Sequence, residues 1–228
     1  MSHFLHFAEH TLQEAALIVM ALVYTFRLIW FFRFKAGRDR QPPTGVPWTT
    51  PRKGWLYSLA VIAMPWAMES SRRKPMLYAQ FVIFHLGVAA AITMSFLIPY
   101  APRSLAAPGT VLFLQIFIGA AFAVGCLRIV RRVRSPVMRR LSSPDDYFSL
   151  VLLTVWFASA VLAVPYGATP LAELSVPGPR LAFFLLTGFF LLYVPFSKIS
   201  HYLYYPFTRY YLGRTLGHRG VYPVKKGG

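Results

Sequence analysis

Five long stretches of this chain run almost without charge, and they restrict its fold more than any other feature. They extend from about Leu12 to Phe32, Met76 to Ile98, Thr110 to Val130, Tyr147 to Val164 and Leu181 to Tyr205. Each reaches the roughly 18 apolar residues that carry a helix across a hydrocarbon layer about 30 Å thick. Inside that layer every backbone N–H and C=O must be paired within the protein, so a continuous apolar run of this length is a helix. Charged residues make up only 14% of the chain, against about 25% in soluble domains. The expectation is an all-α integral membrane protein of five transmembrane helices, with residues 1–228 forming one membrane domain.

Between the first two runs, Gly37, Pro42, Pro43, Gly45, Pro47, Pro51 and Gly54 mark an irregular loop. Trp55 to Met68 follows, mostly apolar but too short to span. Its Trp55, Tyr57 and Trp66 suit a segment lying in the membrane interface, and Pro65 ends it. Ser143-Pro144-Asp145-Asp146 has the form of a helix start: a capping serine, proline in the first turn, and two carboxylates facing the positive end of the dipole.

The net charge of +17 is unevenly distributed. Arg33, Lys35, Arg38 and Arg40 follow the first span. Arg128, Arg131, Arg132, Arg134, Arg139 and Arg140 close the third, and Arg209, Arg214, Arg219, Lys225 and Lys226 lie in the tail. The loops Pro99 to Pro108 and Pro165 to Pro179 carry only Arg103 and Glu173. Lys and Arg collect on the cytoplasmic side of inner-membrane proteins. The alternation therefore puts the N-terminus outside and the C-terminus in the cytoplasm, and localises the chain to the inner (cytoplasmic) membrane. It also accounts for the basic charge without nucleic acid. The single cysteine, Cys126, allows neither an internal disulfide nor an iron–sulfur cluster held by this chain alone. The N-terminus shows no cleavable signal pattern. The absence of paired acids inside spans two to five argues against a transporter.

Two of the six histidines fall inside apolar spans: His85, in Phe84-His85-Leu86-Gly87, and His201, in Pro195-Phe196-Ser197-Lys198-Ile199-Ser200-His201. His85 lies on the order of 13 Å from the inner end of span two, and His201 near the inner end of span five, so both belong to the cytoplasmic half. Intramembrane ionisable residues face a bundle interior or a functional site. Two neutral imidazoles on facing helices can hold one haem iron, and a hydrogen-bonding role is open for each. Gly87, Gly119, Gly125 and Gly188 offer room for a porphyrin. Lys198, one turn before His201, either pairs with a haem propionate or reaches to the interface. His3, His6 and His10 recur at helical spacing near Glu14, as an outer proton-accepting group or a polar first turn.

Three motifs together give the chain a resemblance. Phe84-His85-Leu86-Gly87, Arg131-Arg132-Val133-Arg134-Ser135-Pro136 and Pro195-Phe196-Ser197-Lys198-Ile199-Ser200-His201 resemble, in order, segments of a membrane cytochrome b family. This is the family of the respiratory nitrate reductase gamma subunit and of related heterodisulfide-reductase-like and sulfite-reductase-associated complexes. The resemblance implies that His85 and His201 are axial ligands of a haem b, with a basic residue at Lys198. It further implies electron transfer between membrane quinone or quinol and a cytoplasmic iron–sulfur or catalytic partner subunit, by an electron-transfer subunit rather than an enzyme on its own. The family carries a second, outer haem, whose ligand positions fall here on Ser95 and Phe183, neither of which ligates iron. One haem is therefore expected, with His6 or His10 as the open question for a second. The alternative is a cofactor-free membrane anchor for a soluble oxidoreductase.

Overall fold

The structure is a computed structural model that describes residues 2–35, 37, 41–43, 45–170 and 173–224. Arg38, Arg40, Lys225 and Lys226 lie outside the described residues. Helices and turns account for the described chain, with no strand among them. In chain order the helices are α1 (Ser2–Glu9), α2 (Thr11–Arg33), α3 (Pro51–Ala60), α4 (Glu69–Arg73), α5 (Pro75–Tyr100), α6 (Pro108–Arg134), α7 (Pro136–Leu141), α8 (Pro144–Ala163), α9 (Gly178–Tyr193) and α10 (His201–His218). Among the described residues, five segments are long and apolar enough to cross a membrane: His3–Arg33, Pro75–Tyr100, Pro108–Arg134, Pro144–Tyr166 and Gly178–Phe196.

Proline punctuates these helices. It stands in the first turn of α3, α5, α6, α7, α8 and α9, where its missing N–H leaves no hydrogen bond unmade. Pro136 also ends α6, because the residue before a proline avoids the helical region; Ser135 is extended and its hydroxyl caps α7 by accepting from Met138 N–H. The expected helix start at Ser143 is present: the Asp146 carboxylate reaches back to the Ser143 N–H at 2.7 Å.

Two compact units divide the chain. The first comprises Met1–Tyr24 and Gln80–Ile199; the second comprises Thr25–Ala79 and Ser200–Gly228. In the first unit the core lies among α5, α6, α8 and α9, with Met94, Ile118, Trp156, Phe157, Phe183 and Phe184 excluded from the surface. Trp156 organises it. Its ring stacks on Phe190 at 5.0 Å and on Phe183 at 6.0 Å, and its indole N–H donates to Thr187 Oγ1 at 2.9 Å. In hydrocarbon, helices associate through close packing, small residues and polar contacts rather than by expulsion of water. Here Gly87 seats α5 on α6, since a Cβ built on it would stand 2.1 Å from Ala121 Cβ. Gly125 does the same between α6 and α8, against Thr154.

In the second unit α10 runs back along α3 at backbone contact. A Cβ on Gly54 would meet Gly213 O at 2.2 Å, and one on Gly217 would meet Thr50 O at 2.4 Å. Thr49 Oγ1 donates to Gly217 O at one end, and Tyr205 OH donates to Leu59 O at the other. The stretch from Trp55 is therefore a helix to Ala60 with one further turn, Val61–Ala63, packed on α10. The aromatic residues of α10 gather around Phe31, whose ring lies 5.6–6.4 Å from those of Tyr204, Phe207 and Tyr211.

Candidate functional site

His85 sits on α5 in the first unit, at an exposed position of the helix. Its Nδ1 donates to the carbonyl of Phe81, one turn back, at 2.7 Å, and its ring lies 4.2 Å from the Phe81 ring. A carbonyl only accepts, so the proton is on Nδ1, and in the neutral ring Nε2 keeps its lone pair. That is the arrangement in which a histidine ligates a metal: one nitrogen oriented by a backbone acceptor, the other open. On the next turn side, the Arg128 guanidinium lies 4.8 Å from the Phe84 ring centre.

His201 is placed differently from expectation. The fifth apolar run does not continue as one helix to Tyr205. α9 ends at Tyr193, a tight turn covers Val194–Phe196, and His201 is the first residue of α10 in the second unit. Pro195 has no N–H for the helical ladder. Ser197 is extended, donating its hydroxyl to Val194 O and accepting from Ile199 N–H. These local bonds offer the backbone an alternative to the helix.

Lys198 lies within this break, and its ammonium is held by the chain itself. It donates to both carboxylate oxygens of Asp146 at 3.1 Å and to Ser143 Oγ at 2.8 Å. Asp146, which takes this ammonium, is supplied by the start of α8. The neighbouring Asp145 accepts a short hydrogen bond from Tyr193 OH and lies 3.5 Å from the Lys198 N–H. Ser149 Oγ is 2.8 Å from the same phenol oxygen, and Arg132 approaches Asp146 at 3.9 Å. One helix start, Ser143-Pro144-Asp145-Asp146, therefore grips the end of α9 and the break beyond it. Its partners stand about fifty residues away in sequence, which is why helix-start chemistry alone did not reveal them.

The remaining expected residues are all accounted for. Ser95 and Phe183 are both buried, Ser95 bonding to Ile92 O and Phe183 lying in the Trp156 stack. Gly87, Gly125 and Gly188 give room to neighbouring side chains, Ala121, Thr154 and Leu12 respectively; Gly119 has open space beside it. The His6 and His10 rings lie 4.7 Å apart and tilted, and His10 meets the Tyr100 ring edge-on at 5.6 Å. Tyr100 OH in turn donates to Glu14 at 2.8 Å. His3 is exposed, and His218 lies exposed at the end of α10.

Sequence reasoning passed over a buried ion pair. Glu9 on α1 and Arg180 at the head of α9 are 1% and 3% exposed. The guanidinium grips the carboxylate through Nε and Nη2 and donates to the carbonyls of Thr169 and Tyr166 through Nη1. The available signal was that Arg180 is the one basic residue between Arg140 and Lys198. A lone cation heading an apolar helix requires a partner.

A protein of Nitratidesulfovibrio vulgaris Hildenborough is 26% identical to this chain, over 94% of this chain and 91% of its own length. No family model matches the chain. No solved structure matches it.

Proposed function

We propose that this chain is the haem b subunit of a respiratory membrane complex, with His85 and His201 as the two axial ligands of a single haem. It passes electrons between membrane quinone or quinol and a cytoplasmic iron–sulfur or catalytic subunit. The observation that supports this most directly is the state of His85. It is an intramembrane imidazole with Nδ1 committed to Phe81 O and Nε2 left to coordinate. A haem held by His85 and His201 would supply one-electron transfer, which suits passage between a two-electron quinol and a one-electron partner. The chain's own part is to hold the two ligands.

In this reading the N-terminus faces outside, and the basic loops and tail face the cytoplasm of the inner membrane. The segment from Trp55 to Met68 lies in the interface, with the aromatic face of α10 in the headgroup zone. The basic cytoplasmic side receives the partner subunit.

The test is the haem content of the purified chain, by reduced-minus-oxidised and pyridine haemochrome spectra. One haem b per chain is expected, lost in His85→Ala and in His201→Ala. Two haems would bring in an outer ligand, His6 or His10. A well-folded, fully assembled sample without haem would refute the cytochrome and leave the cofactor-free anchor for a soluble oxidoreductase.

A further inference from the structure

We infer that the end of α6 and the whole of α7 form a binding surface for anionic phospholipid headgroups, with Arg131, Arg134, Arg139 and Arg140 taking the phosphates. The inference rests on the chain spanning a membrane and not on the haem reading, so the two stand or fall separately.

The outer face of α6 changes character in its last two turns. Leu127, Val130 and Val133 are exposed, and so are Arg131 and Arg134. Arg131 follows Leu127 by four residues and Arg134 follows Val130 by four, so each arginine continues an apolar row of the same helix face. A membrane helix shows this change where the acyl region gives way to headgroups. α7 repeats it across its own width. At about 100° per residue, Val137, Met138 and Leu141 share one side of α7, and Arg139 and Arg140 share the other. Val137 and Leu141 are 64% and 75% exposed, so no described part of the chain covers that apolar side. A short helix with one apolar and one cationic side, both uncovered, suits a place in the plane of the membrane interface.

Among the described residues, none of the four arginines has a salt bridge. The carboxylates that follow them in sequence, Asp145 and Asp146, are taken by Tyr193, Ser143 and Lys198, with Arg132 close by. The chain itself thus offers these arginines no anion. A phospholipid presents a phosphate at the head of an acyl chain, which matches arginines set beside exposed Val137 and Leu141, and a guanidinium binds phosphate oxygens in pairs. Clusters of four or more basic residues just beyond a membrane helix bind acidic lipid. An acidic soluble partner would meet the charges and leave the apolar side in water. On this assignment, a partner subunit is left the other basic residues, Arg209, Arg214 and Arg219 among them.

The experiment uses the full-length chain in phosphatidylcholine vesicles, with Leu141→Cys labelled by a small fluorophore and Cys126→Ser leaving that thiol alone. Quenching is measured with phosphatidylglycerol or phosphatidylcholine carrying a nitroxide on the acyl chain, at equal mole fraction. Phosphatidylglycerol should quench in clear preference, and excess inorganic phosphate should not reduce it. Arg139→Gln with Arg140→Gln should lower the preference at least about fivefold, the contribution of one basic residue at an anionic surface. Salt near 1 M, where the screening length is about 3 Å, should weaken it too. If the double change does not accumulate, the salt series on the labelled parent and Arg139→Gln alone carry the comparison. Equal quenching by both lipids would overturn the surface. So would a loss of the same size in Arg103→Gln, before the other end of α6, because the preference would then follow net charge alone. Loss of the preference in free phosphate would assign the arginines to a soluble anion instead. A label that neither lipid quenches would place α7 in water, open to a soluble partner, and would also overturn the inference.

Discussion

Removing one half of the Glu9–Arg180 pair should be far more damaging than removing both. The two side chains are 1% and 3% exposed, and their atoms are mutually committed: two guanidinium nitrogens to the carboxylate, the third to the Thr169 and Tyr166 carbonyls. Glu9→Gln keeps the shape and deletes the negative charge, leaving a buried cation that only dipoles can answer. Breaking a buried pair in this way costs about 3–5 kcal/mol. For a chain of this size about 1 kcal/mol moves the melting temperature by 2–4 °C, so a fall of roughly 6–20 °C is expected. The double change Glu9→Leu with Arg180→Leu removes both charges together and should cost clearly less than either single change, because no charge is left stranded. The assay is thermal unfolding in detergent micelles, followed by circular dichroism, for Glu9→Gln, for Glu9→Leu and Arg180→Leu singly, and for the double. Non-additivity of about 2 kcal/mol or more is expected from the cycle. A Glu9→Gln melting point within about 2–4 °C of the parent, or a double variant as unstable as the sum of the singles, would refute the argument that this pair ties α1 to α9.

Gly54→Leu should separate α3 from α10, because a Cβ there would stand 2.2 Å from the Gly213 carbonyl oxygen. Overpacking of this kind typically costs about 1–3 kcal/mol, and limited proteolysis of the 25–79 and 200–224 segments should accelerate; unchanged protection would mean that the two helices can part freely. A reporter fused to the C-terminus should be active only in the cytoplasm, following the Arg and Lys distribution; an external signal would reverse the orientation proposed above.

The five apolar spans were legible in the sequence because each is a local property. A membrane helix satisfies its own backbone, and a run of apolar residues declares it without reference to anything distant. The same holds for Ser143-Pro144-Asp145-Asp146, whose capping bonds join residues three apart, and for the proline-marked first turns. His85 was legible as an ionisable group in an apolar run, and its Phe81 carbonyl partner is simply the preceding turn of its own helix.

What the tertiary structure alone decided were the contacts between residues distant in the chain. Lys198 found Asp146 across 52 positions, and Arg180 found Glu9 across 171. No periodicity encodes either pair, since each depends on which helices are neighbours. The close approach of Gly54 to Gly213 and Gly217, and the use of Gly87 and Gly125 for helix packing, likewise depend on the facing residue. Even the end of the fifth span turned on such competition. Its composition is apolar enough to continue as one helix, but Pro195, the Ser197 hydroxyl and the carboxylates of α8 stop it at Phe196 and make His201 the beginning of another. Apolar composition determines that a segment is a membrane helix. Where that helix breaks, and what its few polar side chains hold, is decided by partners that only folding brings within hydrogen-bond reach.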